Sequence, residues 1–89
     1  MKLESKNIKC VIEKLADIEH GRWSRWQKYL HEQCVTNDDG SLTIPHELVS
    51  RWEKQMTTPY GELTDEEKQS DRDLVEKDLD KLHRILRDL

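Results

Sequence analysis

Phenylalanine is missing from this chain, glycine occurs three times, proline and cysteine twice each, and Lys plus Arg number 15 against 19 Asp plus Glu. Each shortage excludes something. Two cysteines without a Cys-x-x-Cys pair give no disulfide framework, and with the four histidines they give no recognisable zinc spacing. Cys10 and Cys34, if carried on one long helix, stand about 36 Å apart at a rise of 1.5 Å per residue, too far to bridge. Both are read as small buried or half-buried thiols of a reducing compartment. Gly21, Gly40 and Gly61 are scattered, so there is no glycine-rich phosphate loop, and His20, His31, His46 and His83 form no His-x-x-x-His pair. No catalysis, cofactor or metal is expected. The net charge of −4 offers no general attraction to a polyphosphate, so nucleic acid is not an expected partner. No apolar run approaches the roughly 18 residues that span a bilayer, and Met1-Lys2-Leu3-Glu4-Ser5 lacks the apolar centre of a signal peptide. A cytoplasmic protein without a membrane partner is expected.

What is present is 89 residues, 34% hydrophobic and 38% charged. That suffices for one domain over 1–89 with a thin core, to which a second copy would add burial. The apolar residues are periodic. Ile8, Val11, Ile12, Leu15, Ile18, Trp23, Trp26 and Leu30 recur at three- and four-residue steps, which predicts an amphipathic helix from about Ser5 to Gln33. Gly21 interrupts it at a cost of about 1 kcal/mol relative to Ala, marking either a close approach or a tolerated surface glycine.

Thr36-Asn37-Asp38-Asp39-Gly40-Ser41 reads as a turn, with Gly40 supplying positive φ, and Leu42-Thr43-Ile44 as an extended segment able to pair near Val35. Pro45 opens a second helix to about Gln55, with Trp52 and Met56 assigned to the core. Thr57-Thr58-Pro59 stops it. Thr64-Asp65-Glu66-Glu67 is a capping box, opening a third helix to about Arg87 whose apolar stripe starts only at Leu74. The fold class expected is mainly α, three helices with an irregular or short β middle.

Glu19, Arg22, Trp23 and Trp26 share one face of the first helix, and Lys68, Asp71, Arg72 and Val75 share one face of the third. If those faces meet, Arg22 and Arg72 pair with Glu19, Asp71 or Glu67, and Trp23, Trp26 and Tyr60 form flat apolar walls. Indole and phenol stack on a ring while guanidinium forks grip phosphate oxygens, so the constellation suits a nucleotide-like molecule. Tryptophans at this spacing also suit a plain helical core, and exposed ones suit a protein interface.

Glu19-His20-Gly21-Arg22-Trp23, then Pro59-Tyr60, then Leu63-x-x-Glu66-Glu67-Lys68-x-x-Asp71-Arg72 resemble the ryanodine-receptor repeat, the RyR domain, over roughly Ile12 to Val75. Cys34 to Gln55 departs from the family pattern, which has Gly-Trp-x-x-Gly and a short hairpin there. The chain is also similar to small phage and prophage proteins with Trp-x-x-Trp-x-x-Tyr-Leu and Gly-Ser-Leu-Thr-Ile-Pro segments, as in Trp23 to Leu30 and Gly40 to Pro45. The resemblance implies a mostly helical, non-catalytic module that in some relatives binds adenine nucleotides or nucleotide signals. Together with the shared helix face that adds Trp26, it points to a ligand site of Glu19, Arg22, Trp23, Trp26, Tyr60, Lys68, Asp71 and Arg72. Because channel repeats pack in pairs, it also implies a homodimer or higher homo-oligomer. A phage setting adds the idea of a protein that captures a host nucleotide signal in the bacterial cytoplasm without cleaving it. The alternative is a structural or protein-interaction module with no small ligand.

Overall fold

The computed structural model describes residues 5–87, and the side chains of residues 7–87. In chain order the elements are helix α1 (Ser5–Gln33), strands β1 (Val35–Thr36) and β2 (Leu42–Thr43), helix α2 (His46–Met56), a 3₁₀ turn (Tyr60–Glu62), and helices α3 (Asp65–Lys77) and α4 (Leu79–Arg87). The protein is mainly helical with a short β segment. Among the described residues no helix is long and apolar enough to cross a membrane.

The joints follow from local chemistry. β1 and β2 pair antiparallel, Val35 with Thr43 and Thr36 with Leu42. The turn between them is closed by the Asn37 N–H donating to the Ser41 carbonyl at 2.8 Å and the Gly40 N–H to the Asn37 carbonyl at 3.0 Å. Gly40 has φ 88°, a conformation that a side chain would strain. Asp39 accepts both the Ser41 hydroxyl and its N–H, which hold the Asp39 carboxyl below its ordinary range. Pro45 serves as the N-cap of α2, one residue outside the expected start, and its carbonyl accepts from Leu48 and Val49. At the far end the Thr57 and Thr58 hydroxyls return to the Glu53 and Lys54 carbonyls before Pro59 prevents further helix. The capping box forms as expected: the Glu67 N–H donates to Thr64 Oγ1 at 3.1 Å and the Thr64 N–H to Glu67 Oε1 at 3.0 Å.

The expected third helix is two helices. At Asp78, with φ −105° and ψ 10°, the N–H bonds to the Val75 carbonyl at 3.0 Å, three residues back instead of four. That tightened turn sits where the Asp78 carboxylate reaches the guanidinium groups of Arg22, at 3.4 Å, and Arg25, at 2.9 Å. Aspartate is a poor interior helix residue, and here two cations from α1 hold it.

The core is smaller than the stripes suggest. Among the described residues the buried hydrophobics are Ile18 and Ile85, 3% and 5% exposed, where α1 and α4 meet, with Asp78 buried beside them. Burying each isoleucine is worth about 2 kcal/mol. Lys81 adds an exposed pair with Asp17 at 3.1 Å. Two core assignments are corrected: Met56 is 75% exposed, and Trp52 is only half-buried. Cys10 is likewise exposed, while Cys34 is half-buried and both are free thiols. Periodicity identifies the apolar side of a helix, and among the described residues much of that side of α1 and α4 stays exposed.

Candidate ligand-binding groove

Three segments bring their aromatic rings to one place. α1 supplies Trp26 and Tyr29, α2 supplies Trp52, and the 3₁₀ turn supplies Tyr60. Trp26 meets Trp52 edge to face, centroids 5.4 Å apart at 67°, and Tyr29 lies 5.5 Å from Trp26 and 6.5 Å from Trp52. Such geometry aligns the positive edge of one ring with the negative face of another. The hairpin makes it possible by folding α2 back onto the C-terminal half of α1.

A groove of about 520 Å³ opens between these segments, within the usual range for small-molecule sites. Its walls are Trp26 and Leu30 of α1, Trp52 and Met56 of α2, and Tyr60 and Leu63 of the segment that follows, with Asp71 of α3 at one end. A second cleft of about 350 Å³ shares Tyr60 and Asp71 and adds Arg72, Val75 and Glu76. One apolar trough thus runs into a charged mouth. The Lys68 ammonium stands 5.9 Å from the centre of the Tyr60 ring, a cation–π contact that leaves it beside that mouth.

Of the residues expected to form a site, Trp26, Tyr60, Asp71 and Arg72 line these two cavities and Lys68 abuts them. Glu19, Arg22 and Trp23 line neither. Arg22 pairs with Asp78, not with Glu19, Asp71 or Glu67, and Arg72 reaches Gln69 on its own helix at 3.3 Å. Trp23 is 57% exposed and stacks against His20 at 6.1 Å. The 60° between Trp23 and Trp26 around the helix axis is enough to separate them. Glu19 is exposed on α1.

Trp52 and Met56 of the groove, and Arg25 and Asp78 of the seam beside it, are not among the residues that spacing singles out as a site. Trp52 is a groove wall and not core, and its apolar spacing on α2 carried no sign of the difference. Arg25 lies three residues beyond Arg22, and the two flank one buried carboxylate. Asp78 did leave a signal, for it occupies the place between Val75 and Leu82 where the apolar stripe calls for a hydrophobic residue.

A neighbouring hollow between α2 and α3 is lined by Arg51, Lys54, Thr64 and Glu67 among others. There the Glu67 carboxyl is held below its ordinary value, first by the Thr64 backbone N–H, then by the Thr64 side chain, with Lys54 and Arg51 adding attraction. Among the described residues no group of three or more His, Cys, Asp or Glu stands together to hold a metal ion. What the groove offers chemically is stacking surface and a few charges at one end. Comparison with known protein families, with curated proteins and with solved structures finds no match for this chain.

Proposed function

We propose that this chain is a non-catalytic binding module of the ryanodine-receptor-repeat type, and that its ligand is a nucleotide-type small molecule held in the aromatic groove. The base stacks against the trough of Trp26, Trp52 and Tyr60, and the anionic groups lie toward Arg72 and Lys68. Asp71, at the junction of trough and mouth, accepts a ribose hydroxyl or an exocyclic amine. The observation that carries this reading is that rings from three separate segments converge on one groove and that an arginine borders its extension. Stacking is worth about 1–3 kcal/mol per base and tolerates different bases, while guanidinium supplies two parallel bonds to phosphate.

In this reading the module works in the bacterial cytoplasm, including that of a phage-infected cell, and sequesters a nucleotide signal intact. It acts as a homodimer, because a chain with so little buried apolar surface gains from a second copy. Calorimetry against adenine nucleotides, ADP-ribose derivatives and cyclic dinucleotides tests the ligand: one member of the panel binds and is recovered unchanged. Silence across the panel at about 100 μM, meaning a binding free energy weaker than about −5.5 kcal/mol, rejects it.

A second reading, a protein-interaction module without a small ligand, is favoured by one specific observation, the uncovered apolar side chains Ile8, Ile12, Leu15, Leu79 and Leu86. Stoichiometric capture of one protein from host lysate, together with a silent calorimetric panel, selects it.

A further inference from the structure

For its mass, this protein has too much surface. A compact monomer of 10.7 kDa exposes about 5,500 Å². This chain exposes 7489 Å², an excess of about 2,000 Å². Its radius of gyration is 17.2 Å, where a compact chain of this length has about 12 Å.

Part of the exposed apolar surface lies on one face. On α1, Ile8, Ile12 and Leu15 lie within about 60° of one another and about a quarter turn past Ile18, the residue that faces α4. On α4, Leu79, Leu82 and Leu86 lie about a quarter turn past Ile85, the residue that faces α1. The two helices run antiparallel, since Asp17 meets Lys81 while Arg25, further along α1, meets Asp78, earlier in the chain. Equal offsets in the same sense on two antiparallel right-handed helices bring both stripes to one side. Ile12 is 56% exposed and Leu86 66%. Further along α1, Trp26 on the same stripe, itself 43% exposed, is met edge to face by Trp52 of α2.

We infer that a second copy of this chain covers that face, through a two-fold axis that sets α1 and α4 of one protomer against α4 and α1 of its partner as a four-helix bundle. The inference rests on the self-association proposed above and assigns its surface. Two facts select a second copy as the occupant. Permanent homodimers bury about 1,000 Å² or more per protomer, which the surplus surface of this chain can supply. A chain with two buried hydrophobics among its described residues also lacks burial for its own folding, so whatever covers the face must be present whenever the chain is folded. A sister copy always is. A two-fold contact needs one self-complementary patch, and a straight two-helix stripe meets that need.

Sedimentation equilibrium and helical circular dichroism of the full chain test this, with Ile12→Glu/Leu86→Glu on the proposed face and Met56→Glu on the groove rim. The wild type is expected at twice 10.7 kDa, with a thermal midpoint that rises with protein concentration. The double variant is expected to lose the dimer, and Met56→Glu to keep it. If the double variant cannot fold, Leu15→Ala serves instead, with helicity retained at high concentration and dimer dissociation at least about tenfold easier. A wild type that is folded and monomeric at every concentration overturns self-association itself. A dimer that survives both the double variant and Leu15→Ala, or that Met56→Glu alone dissolves, leaves self-association standing and overturns the surface.

Discussion

The carboxylate of Asp78 and the guanidinium of Arg25 meet at 2.9 Å on the seam between α1 and α4, at the residue where α3 gives way to α4. The contact is lopsided. Asp78 is almost wholly buried, whereas Arg25 is about a third exposed and has its Nε buried without a hydrogen-bond partner.

Removing Asp78 therefore strips two cations of their partner but leaves both able to reach water. Asp78→Ala is expected to cost about 2–3 kcal/mol, below the full penalty of a wholly buried pair. Asp17→Ala, which breaks only the exposed contact with Lys81, is expected to cost less than about 0.5 kcal/mol. Urea denaturation of both variants checks the ranking, and equal losses would mean that the seam is not held by this carboxylate.

Gly21 sits in the interior of α1, and a methyl group placed on it would meet only the Arg25 Nη1 at 3.5 Å, an ordinary contact. No close backbone approach explains the glycine. Gly21→Ala is expected to stabilise the protein by about 1 kcal/mol, seen as a higher thermal midpoint. A drop would point to a neighbour, such as a partner chain, that needs the gap.

The Glu67 carboxyl has its pKa lowered by the Thr64 backbone N–H above all. A depressed folded value means that its support is full above the ordinary glutamate pKa and is lost as pH falls through the lowered one. Wild type should thus lose stability on acidification more steeply than Glu67→Gln, whose amide can still accept the Thr64 N–H but does not titrate. Parallel stability profiles between neutral pH and pH 3, near the bottom of the carboxylate range, would count against the capping box as the source.

Arg72, on the cleft, and Arg22, on Asp78, test the proposed ligand site and the scaffold separately. Arg72→Ala is expected to weaken nucleotide binding by about 1.5–3 kcal/mol with little change in thermal midpoint. Arg22→Ala should do the reverse, lowering stability and leaving affinity in place, because Arg22 is engaged with Asp78. Calorimetry paired with thermal melts reads both, and a loss of affinity in Arg22→Ala alone would move the site off the groove.

Much of the scaffold was legible in the residues because its signals are local. Asn37 to Gly40 set the hairpin turn, Thr64 and Glu67 set the start of α3, and the bounds of α1 follow from a stripe that resumes in phase after Gly21 and runs from Ile8 to Leu30. The break at Asp78 was not legible from the helix alone, since it depends on arginines more than 50 positions away. The site was legible only by halves for an angular reason. Trp26 and Trp23 belong to one broad face, yet α2 covers only the Trp26 edge, so Trp52 joins Trp26 while Trp23 stays outside. Core assignments for Trp52 and Met56 failed because apolar spacing does not reveal whether a neighbour arrives.

Helix α1 is one uninterrupted rod of 29 residues, about 43 Å from end to end. It carries the groove tryptophan toward one tip and exposed isoleucines toward the other, so the proposed ligand and the proposed second copy would act on the same stiff body. Thermodynamic reciprocity then binds them: the factor by which a ligand tightens the association of two copies equals the factor by which association tightens the ligand, and a value of one would mean that the rod transmits nothing.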